Sequence, residues 1–385
     1  MRHWTSIGPT AKRLAQRSGR ILLVFLAVFL SAPPATSHAC PLVIRTGAKQ
    51  SAQAMIGGYC RINGSPITAA PTTESQVRRR AFITNSDGDS VSIIDRDTYQ
   101  VLKTLPVGDY PHHMIVSLDG RYLYVGNTHS NTVSAIDLAT ENIVKTIPLL
   151  DPYNLFYSPD RKVLVTTATR LGRVEVHAVD GWAHMGEAKG WNRLAQIQTG
   201  KDPNHFAFSP DGRFMYVSNE YSHQLSVIDL KEHKLARQID SGRRPVDMAL
   251  APGGNILFLA VYGEGHVKVF DTETFKELER IPTGAGAHGM AMSVDGKRLF
   301  VTNRDAGTVS VIDVATRKVT QTISVPTGPD MMEVTPDGKE LWVTGRYGQQ
   351  VFVIDLSTSK IIQRIRTGAA PHGVVLIDLV SSPEK

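Results

Sequence analysis

A chain of 385 residues with 42 Lys and Arg against 36 Asp and Glu is long enough to bury a large core, and its formal charge is +6. Five of the basic residues stand in residues 1–39 with no acid beside them, so the remainder carries a net charge of about +1. The basic balance therefore belongs to the N-terminus and gives no case for nucleic acid or an anionic membrane as partner.

Arg2, Lys12, Arg13, Arg17 and Arg20 precede the apolar run Ile21–Leu30, and Ser37-His38-Ala39 offers small residues where a signal peptidase cuts. Residues 1–39 are expected to be a cleavable secretory signal, because the apolar run is too short to span a bilayer. The expected address is the periplasm or the exterior, with no transmembrane segment after signal removal. A lipid-attachment site would want an aliphatic residue three before Cys40, and Ser37 stands there instead. Cys40 and Cys60 are the two cysteines, neither in a C-x-x-C spacing. In an oxidising compartment they are expected to form a disulfide, worth on the order of 3 kcal/mol. Residues 40–77 have little periodicity and end in the Pro/Thr/Ser-rich run 66–76, so they read as a disulfide-tethered, partly disordered lead-in. Arg78-Arg79-Arg80 then reads as a solvated approach to the first strand.

From Ala81 the chain repeats with a period of about 40 residues. One apolar run reads AFITN (81–85), YVGN (124–127), LVTT (164–167), YVSN (216–219), FLAV (258–261), FVTN (300–303) and WVTG (342–345). A second reads VSIID (91–95), VSAID (133–137), VEVHAVD (174–180), LSVID (225–229), VKVFD (267–271), VSVID (309–313) and VFVID (351–355). Each is short, rich in β-branched residues and bounded by Asp, Asn, Gly or Pro, as antiparallel strands are. The Asp-Gly pairs between runs suit tight hairpins, so these aspartates read as turn residues, as do the Asp of each Ile-Asp pair. The first repeat lacks a strand before Ala81, and the last has a surplus one at Val374–Ile377. If the surplus strand fills the vacancy, the ring closes. The expected fold is all-β: a seven-bladed propeller of four-stranded blades over residues 78–380, closed by the C-terminal strand, with a tail at 381–385. The third repeat carries an extra piece, residues 181–190, where Trp182, His184 and Met185, with Trp191, either pack on themselves or form a contact patch.

The links that enter each blade's first strand read Pro111-His112-His113, Pro152-Tyr153-Asn154, Pro203-Asn204-His205, Pro245-Val246-Asp247, Ala287-His288, Pro329-Asp330 and Pro371-His372. In a propeller these open on one face of the central channel. His112, His113, His205, Asp247, His288, Asp330 and His372 are therefore expected to ring one mouth. Imidazole and carboxylate suit a divalent metal, for which His205, His288 and His372 are the candidate ligands. The other reading is that the ring lines the channel as a structural device. The links between second and third strands open on the same face and add Asp87, His129, Arg170, Glu220, Tyr221, Tyr262, Glu264, Arg304 and Arg346. Arg304 and Arg346 are equivalent in adjacent blades and could clamp a carboxylate or phosphate. No nucleophile elbow, P-loop or dinucleotide fingerprint is present, and without C-x-x-C-H there is no covalent haem.

With YVGN, YVSN and FVTN, Pro-Asp-Gly before several of them and VSVID after, the sequence resembles the YVTN family of β-propellers from Ala81 to about Leu379. The third, fifth and seventh repeats (LVTTA, FLAVY, WVTGR) depart from the motif. The resemblance implies a fold shared by exported proteins without known chemistry, by propellers of quinoprotein amine dehydrogenases and haem-containing nitrite reductase, and by some lactonases. Two functions follow as expectations. One is a binding or scaffold protein that holds a small ligand or a periplasmic protein partner on the His/Arg-rich face. The other is an enzyme on that face, a lactonase-like hydrolase or a metal- or quinone-linked oxidoreductase.

Overall fold

The computed structural model describes residues 42–46, 77–179 and 192–381. The expected signal, the Cys40–Cys60 pair, most of the lead-in and the Trp182–Trp191 segment lie outside the described residues. Among the described residues the regular elements are strands, with single 3-10 turns at Ser86–Gly88, Glu220–Ser222 and Tyr262–Glu264. None of them is a helix long and apolar enough to cross a membrane.

The strands form seven antiparallel sheets, six of them four-stranded meanders and the first a five-stranded sheet into which the C-terminal strand is inserted. The sixth is representative, with strands Ala287–Met292, Arg298–Asn303, Thr308–Asp313 and Lys318–Ser324 from channel to rim. Its two middle strands bury Leu299, Phe300, Val301, Val309, Val311 and Ile312, whereas its outer strand is mostly exposed. That gradient explains why the two middle strands carry the legible repeat and the outer one does not. The hairpin aspartates hold the turns. Asp295 accepts from the Ser293 hydroxyl (2.6 Å) and the Lys297 amide (3.1 Å), and Asp313 accepts from the amide and hydroxyl of Thr316 (2.7 Å each). Asp119, Asp211, Asp337, Asp137 and Asp355 repeat these bonds in other blades.

The ring closes as expected. Pro371–Ser381 lies antiparallel to Val77–Asn85 with Ala81 opposite Leu376, Phe82 opposite Val375 and Ile83 opposite Val374. Alternation along this strand serves two interfaces. Val375, Ile377 and Leu379 pack with Phe82, Met114 and Leu123 toward the second blade. Val374 and Leu376 pack with Met331 and Trp342 of the seventh. Polar ties follow the same seam: Arg96 pairs with Asp378 (2.6 Å), and the Tyr99 hydroxyl donates to Glu340 (2.6 Å).

Two expectations need correction here. Arg78–Arg80 is not an approach to the strand but part of it, since the strand begins at Val77, and of the three only Arg79 stays exposed. Arg80 is buried between Asp95 (2.7 Å) and Glu141 of the second blade (2.8 Å), and Arg78 also reaches Glu141 (3.3 Å). The lead-in, expected to be partly disordered, contributes a strand at Leu42–Thr46 that pairs with residues 377–381, Leu42 opposite Ser381 and Thr46 opposite Ile377. The innermost strand of a blade offers an unpaired edge, and the β-branched run Val43-Ile44 is suited to take it.

Candidate functional site at the channel mouth

A backbone irregularity aims the site. In six of the seven blades two residues of the innermost strand oppose one of the second strand, as where Pro111 faces Asn127 but Met114 faces Val125. Such a bulge re-aims side chains at the end of a sheet. The bulged pairs are His112–His113, Asn204–His205, Val246–Asp247, His288–Gly289, Asp330–Met331 and His372–Gly373. The third blade has no bulge between its first and second strands and contributes Tyr153 and Asn154.

In the first, sixth and seventh blades the Thr of the repeat motif fixes the bulge to the next blade. Thr302 Oγ1 accepts from the Gly289 amide (2.7 Å) and donates to the Asp330 carbonyl (2.8 Å). Thr84 does the same between Gly373 and His112, and Thr344 between Met331 and His372. The Asn that follows is buried and bridges hydroxyls on the third strand, as Asn303 does with Thr308 (2.9 Å) and Ser310 (3.0 Å). The repeat motif is thus the frame of the mouth.

Five histidines of these links lie close together. His112 and His372 have ring centroids 4.5 Å apart, His113 lies 5.0 Å from His372 and 4.9 Å from His205, and His288 lies 6.1 Å from His205. Each of these five histidines is no more than 5% exposed. Asp330, with no accessible surface, is the hub. His372 places Nδ1 on Asp330 Oδ2 (2.8 Å) and turns Nε2 to His113 Nε2 (3.4 Å). His288 Nδ1 lies 3.2 Å from Asp330 Oδ1. Arg304 donates to Asp330 Oδ1 and to His288 Nε2 (2.5 Å), and Arg346 reaches Asp330 Oδ2 (3.3 Å). Asp247 accepts from the amides of Met248 (2.9 Å) and Met290 (2.8 Å), with His205 Nδ1 3.2 Å away.

Burial, with Arg304 beside it, holds the His288 imidazole well below its ordinary range. Burial and the neighbouring His372 and Arg346 do the same to His112. His372 is lowered to about 4 by burial, against the pull of Asp330. Burial alone would raise Asp330, but Arg304, His372 and His288 outweigh it and hold the carboxyl well below the usual range. At neutral pH the hub is therefore a carboxylate between two guanidiniums and two neutral imidazoles.

Two site expectations change. His205, His288 and His372 do not converge as a ligand set, and no group of three or more His, Cys, Asp or Glu among the described residues has metal-holding geometry. The reason is local: His288 Nε2 faces a guanidinium, and the Nδ1 atoms of His288 and His372 face Asp330. Arg304 and Arg346 share the equivalent positions expected of them, but both are turned inward onto Asp330 rather than standing as an open clamp.

The structure adds residues that were not expected among the ligand-binding ones. Tyr153 is buried among the histidines, 4.5 Å from His112 and 5.4 Å from His113. Tyr110 receives Arg346 Nη2 on its hydroxyl (3.1 Å) and stacks on His129 (4.1 Å). Arg244 lies over Tyr262 (4.3 Å) and pairs with Glu220, which also accepts from Asn204 (3.0 Å). Arg304 lies on the same tyrosine (5.7 Å). Glu220 and Tyr262, both expected at the site, thus belong to a shell that runs from the rim to the hub. Asp202 sits beside it, raised to about 7 by burial and by Glu220 and Asp151.

A signal for these residues exists in the sequence. Tyr110, Asp151, Asp202, Arg244 and Ala370 precede the Pro of their links, and all have positive φ. Gly286 and Gly328 occupy the same offset in the remaining blades. Beneath the ring, Glu333 accepts from the Leu376 amide (3.0 Å) and borders a cavity of about 20 Å³, room for one water. Beside the mouth, between the fifth and sixth blades, a groove of about 800 Å³ is lined by Arg243, Arg244, Tyr262, Glu264, Asp305 and four glycines.

Comparison with known proteins places this geometry in a family. A protein of Salmonella typhi named "Uncharacterized protein YncE" is 42% identical over 48 residues, which is 12% of this chain and 14% of that protein. Among solved structures, the Kuenenia stuttgartiensis hydrazine synthase aligns with a TM-score of 0.61 at 21% identity, over 72% of this chain and 92% of that one. The dihydro-heme d1 dehydrogenase NirN aligns at 0.61 and 18% identity, over 81% of this chain and 79% of that one. A Desulfotomaculum acetoxidans protein of unknown function aligns at 0.65 and 15%, over 77% and 98%. At these identities the structures share the fold. The family model described as YNCE-like beta-propeller matches residues 53–382, most of the chain and all of the ring, and the chain belongs to that family.

Proposed function

We propose that the chain is an exported binding protein and that the His/Arg-rich mouth receives a small anion, a carboxylate or phosphate. The observation that carries this reading is the charge at the hub. Arg304 and Arg346 both reach Asp330, so two guanidiniums meet one carboxylate, while His288 and His372 are held neutral. The second acid of the ring, Asp247, is occupied by backbone amides. At the hub itself two guanidiniums thus share one carboxylate, an excess of one positive charge in a partly desolvated setting where guanidinium binds oxyanions well. Tyr110 and Tyr262 flank the two arginines and offer hydroxyl and ring surfaces to an organic anion.

Thermal unfolding in succinate and in inorganic phosphate, each against chloride at matched ionic strength, tests the reading. A ligand that binds the native state raises the melting temperature with its concentration. A saturable rise in wild type that is lost in Arg346→Gln is expected. Equal responses in both proteins, or none beyond chloride, would count against the mouth as an anion site.

A further inference from the structure

The groove between the fifth and sixth blades has its own chemistry, and neither Arg243 nor Asp305 touches the hub. Arg243 is anchored at one end of it. Its amide donates to Glu264 (2.7 Å), and its Nε and Nη2 donate to the Gly263 carbonyl (Nε at 2.9 Å). Nη1 of this exposed side chain donates to none of the described residues. At the other end stands Asp305, also exposed. Its Oδ1 accepts the Tyr262 hydroxyl (2.7 Å), and its Oδ2 accepts from none of the described residues. Tyr262 separates the two ends: the Arg243–Gly263 contact abuts its backbone, and Asp305 caps its hydroxyl.

Between the ends the groove is lined by Tyr262, Glu264 and a glycine-rich stretch of residues 282–286. A side chain at Gly263 would meet the Arg243 carbonyl at 2.7 Å, and one at Gly286, where φ is +75°, would meet the Asp305 amide at 2.7 Å. The fold therefore keeps these positions glycine, and peptide groups face the groove. The carbonyls of Ala285 and Gly286 accept from Ala306 (3.0 Å) and Arg304 (2.8 Å), but their own amides donate to none of the described residues. Of the other charged liners, Arg244 pairs with Glu220, and Glu264 accepts the Arg243 amide and lies beside His266, so the groove presents Arg243, two amide donors and Asp305 as its uncommitted groups.

We propose that this groove is a separate binding site for a short peptide with free ends. The ligand's carboxylate meets Arg243, its ammonium meets Asp305, and its carbonyls accept from the Ala285 and Gly286 amides. A single amino acid does not satisfy this pattern, because its two charges sit on one carbon and cannot span Tyr262. Diamines lack the anion, and dicarboxylates lack the cation. A volume of about 800 Å³ lies within the range of sites for ligands of this size.

Titration calorimetry of the whole protein with tetraalanine, its N-acetyl form and its C-terminal amide tests the proposal. Tetraalanine should bind, and each cap should weaken it about tenfold or more, since each removes one charge-assisted contact. Arg243→Gln should abolish the difference between acid and amide but keep the difference made by acetylation. Asp305→Asn should do the reverse. Both side chains are exposed, so both variants should fold. Absence of tetraalanine binding to wild type, or capped forms that bind as tightly as the free peptide, would overturn the proposal. These variants and probes are not those of the anion test at the mouth, so failure of either leaves the other standing.

Discussion

Asp330 meets two guanidiniums and two imidazoles while carrying no accessible surface. Loss of its charge strands Arg304 and Arg346 without their partner, and breaking a buried pair in this way costs about 3–5 kcal/mol. Denaturant unfolding of Asp330→Asn should show a loss of that order, and one under about 1 kcal/mol would show that the hub is dispensable. The imidazoles predict a pH dependence. His372 is lowered to about 4 from an ordinary 6.5, and His112 and His288 shift the same way. Between those values the unfolded chain binds more protons than the folded one, so stability is full above about pH 6.5 and is lost as the pH falls toward about 4. Asp330, held low, adds to the loss only at more acidic pH. Asp202, raised to about 7, acts in the opposite sense: its contribution is present below its ordinary value of 3.8 and is lost as the pH rises through 7. His177, lowered to about 4, and His266, also lowered by burial, act in the same sense as the three of the mouth, so five imidazoles against one carboxylate make the net slope positive. Melting temperatures from pH 7.5 down to 4.5 should fall steadily, and less steeply in His372→Asn. A flat profile in wild type would contradict neutral burial of these histidines.

At the scale of the element, the bulge and the glycine behind it do the aiming. A side chain at Gly289 would meet the Asp330 carbonyl at 2.4 Å, and one at Gly373 would meet the His112 carbonyl at 2.3 Å. Neither residue has positive φ, so the constraint is the approach of the next blade's backbone rather than the glycine's own conformation. Gly289→Ala and Gly373→Ala should each cost about 1–3 kcal/mol by overpacking, although alanine otherwise suits a strand better. Equilibrium unfolding of the two variants measures this, and unchanged midpoints would mean that the blades can part freely. The hairpins, by contrast, were legible in advance. Asp295, Asp313 and their counterparts accept local amides and hydroxyls, which their place beside each turn implied. The bulges were not legible, because Pro-His-Gly reads equally as a turn or as a strand start.

At the scale of the whole molecule, closure rests on the strand Pro371–Ser381, which faces two blades at once. Deletion of residues 371–385 removes Val375, Ile377 and Leu379 from one interface and Val374 and Leu376 from the other. It also removes the partner of Arg96 and the strand paired with Leu42–Thr46. The truncated protein should lose cooperative unfolding or melt far below wild type by calorimetry. A melting temperature equal to wild type would show that the ring does not need its last strand.

The repeat of short β-branched runs, the turn aspartates and the complementary defects at the two ends were sufficient by themselves to determine a closed seven-bladed ring, because each is a local rule repeated many times. The same offset in each link also placed the five histidines, Asp247 and Asp330 at one mouth. What they do there was decided only by the tertiary structure. Whether a histidine nitrogen faces a metal, a guanidinium or a carboxylate depends on residues some forty positions away, brought close by the next blade. That is how Arg304 and Arg346 came to meet Asp330 instead of opening to solvent, and how Tyr110, Tyr153 and Arg244 joined the site. Packing between blades also gave Arg80 its acids and the lead-in its strand, since an unpaired edge and a buried charge are properties of the assembled ring and of no single repeat.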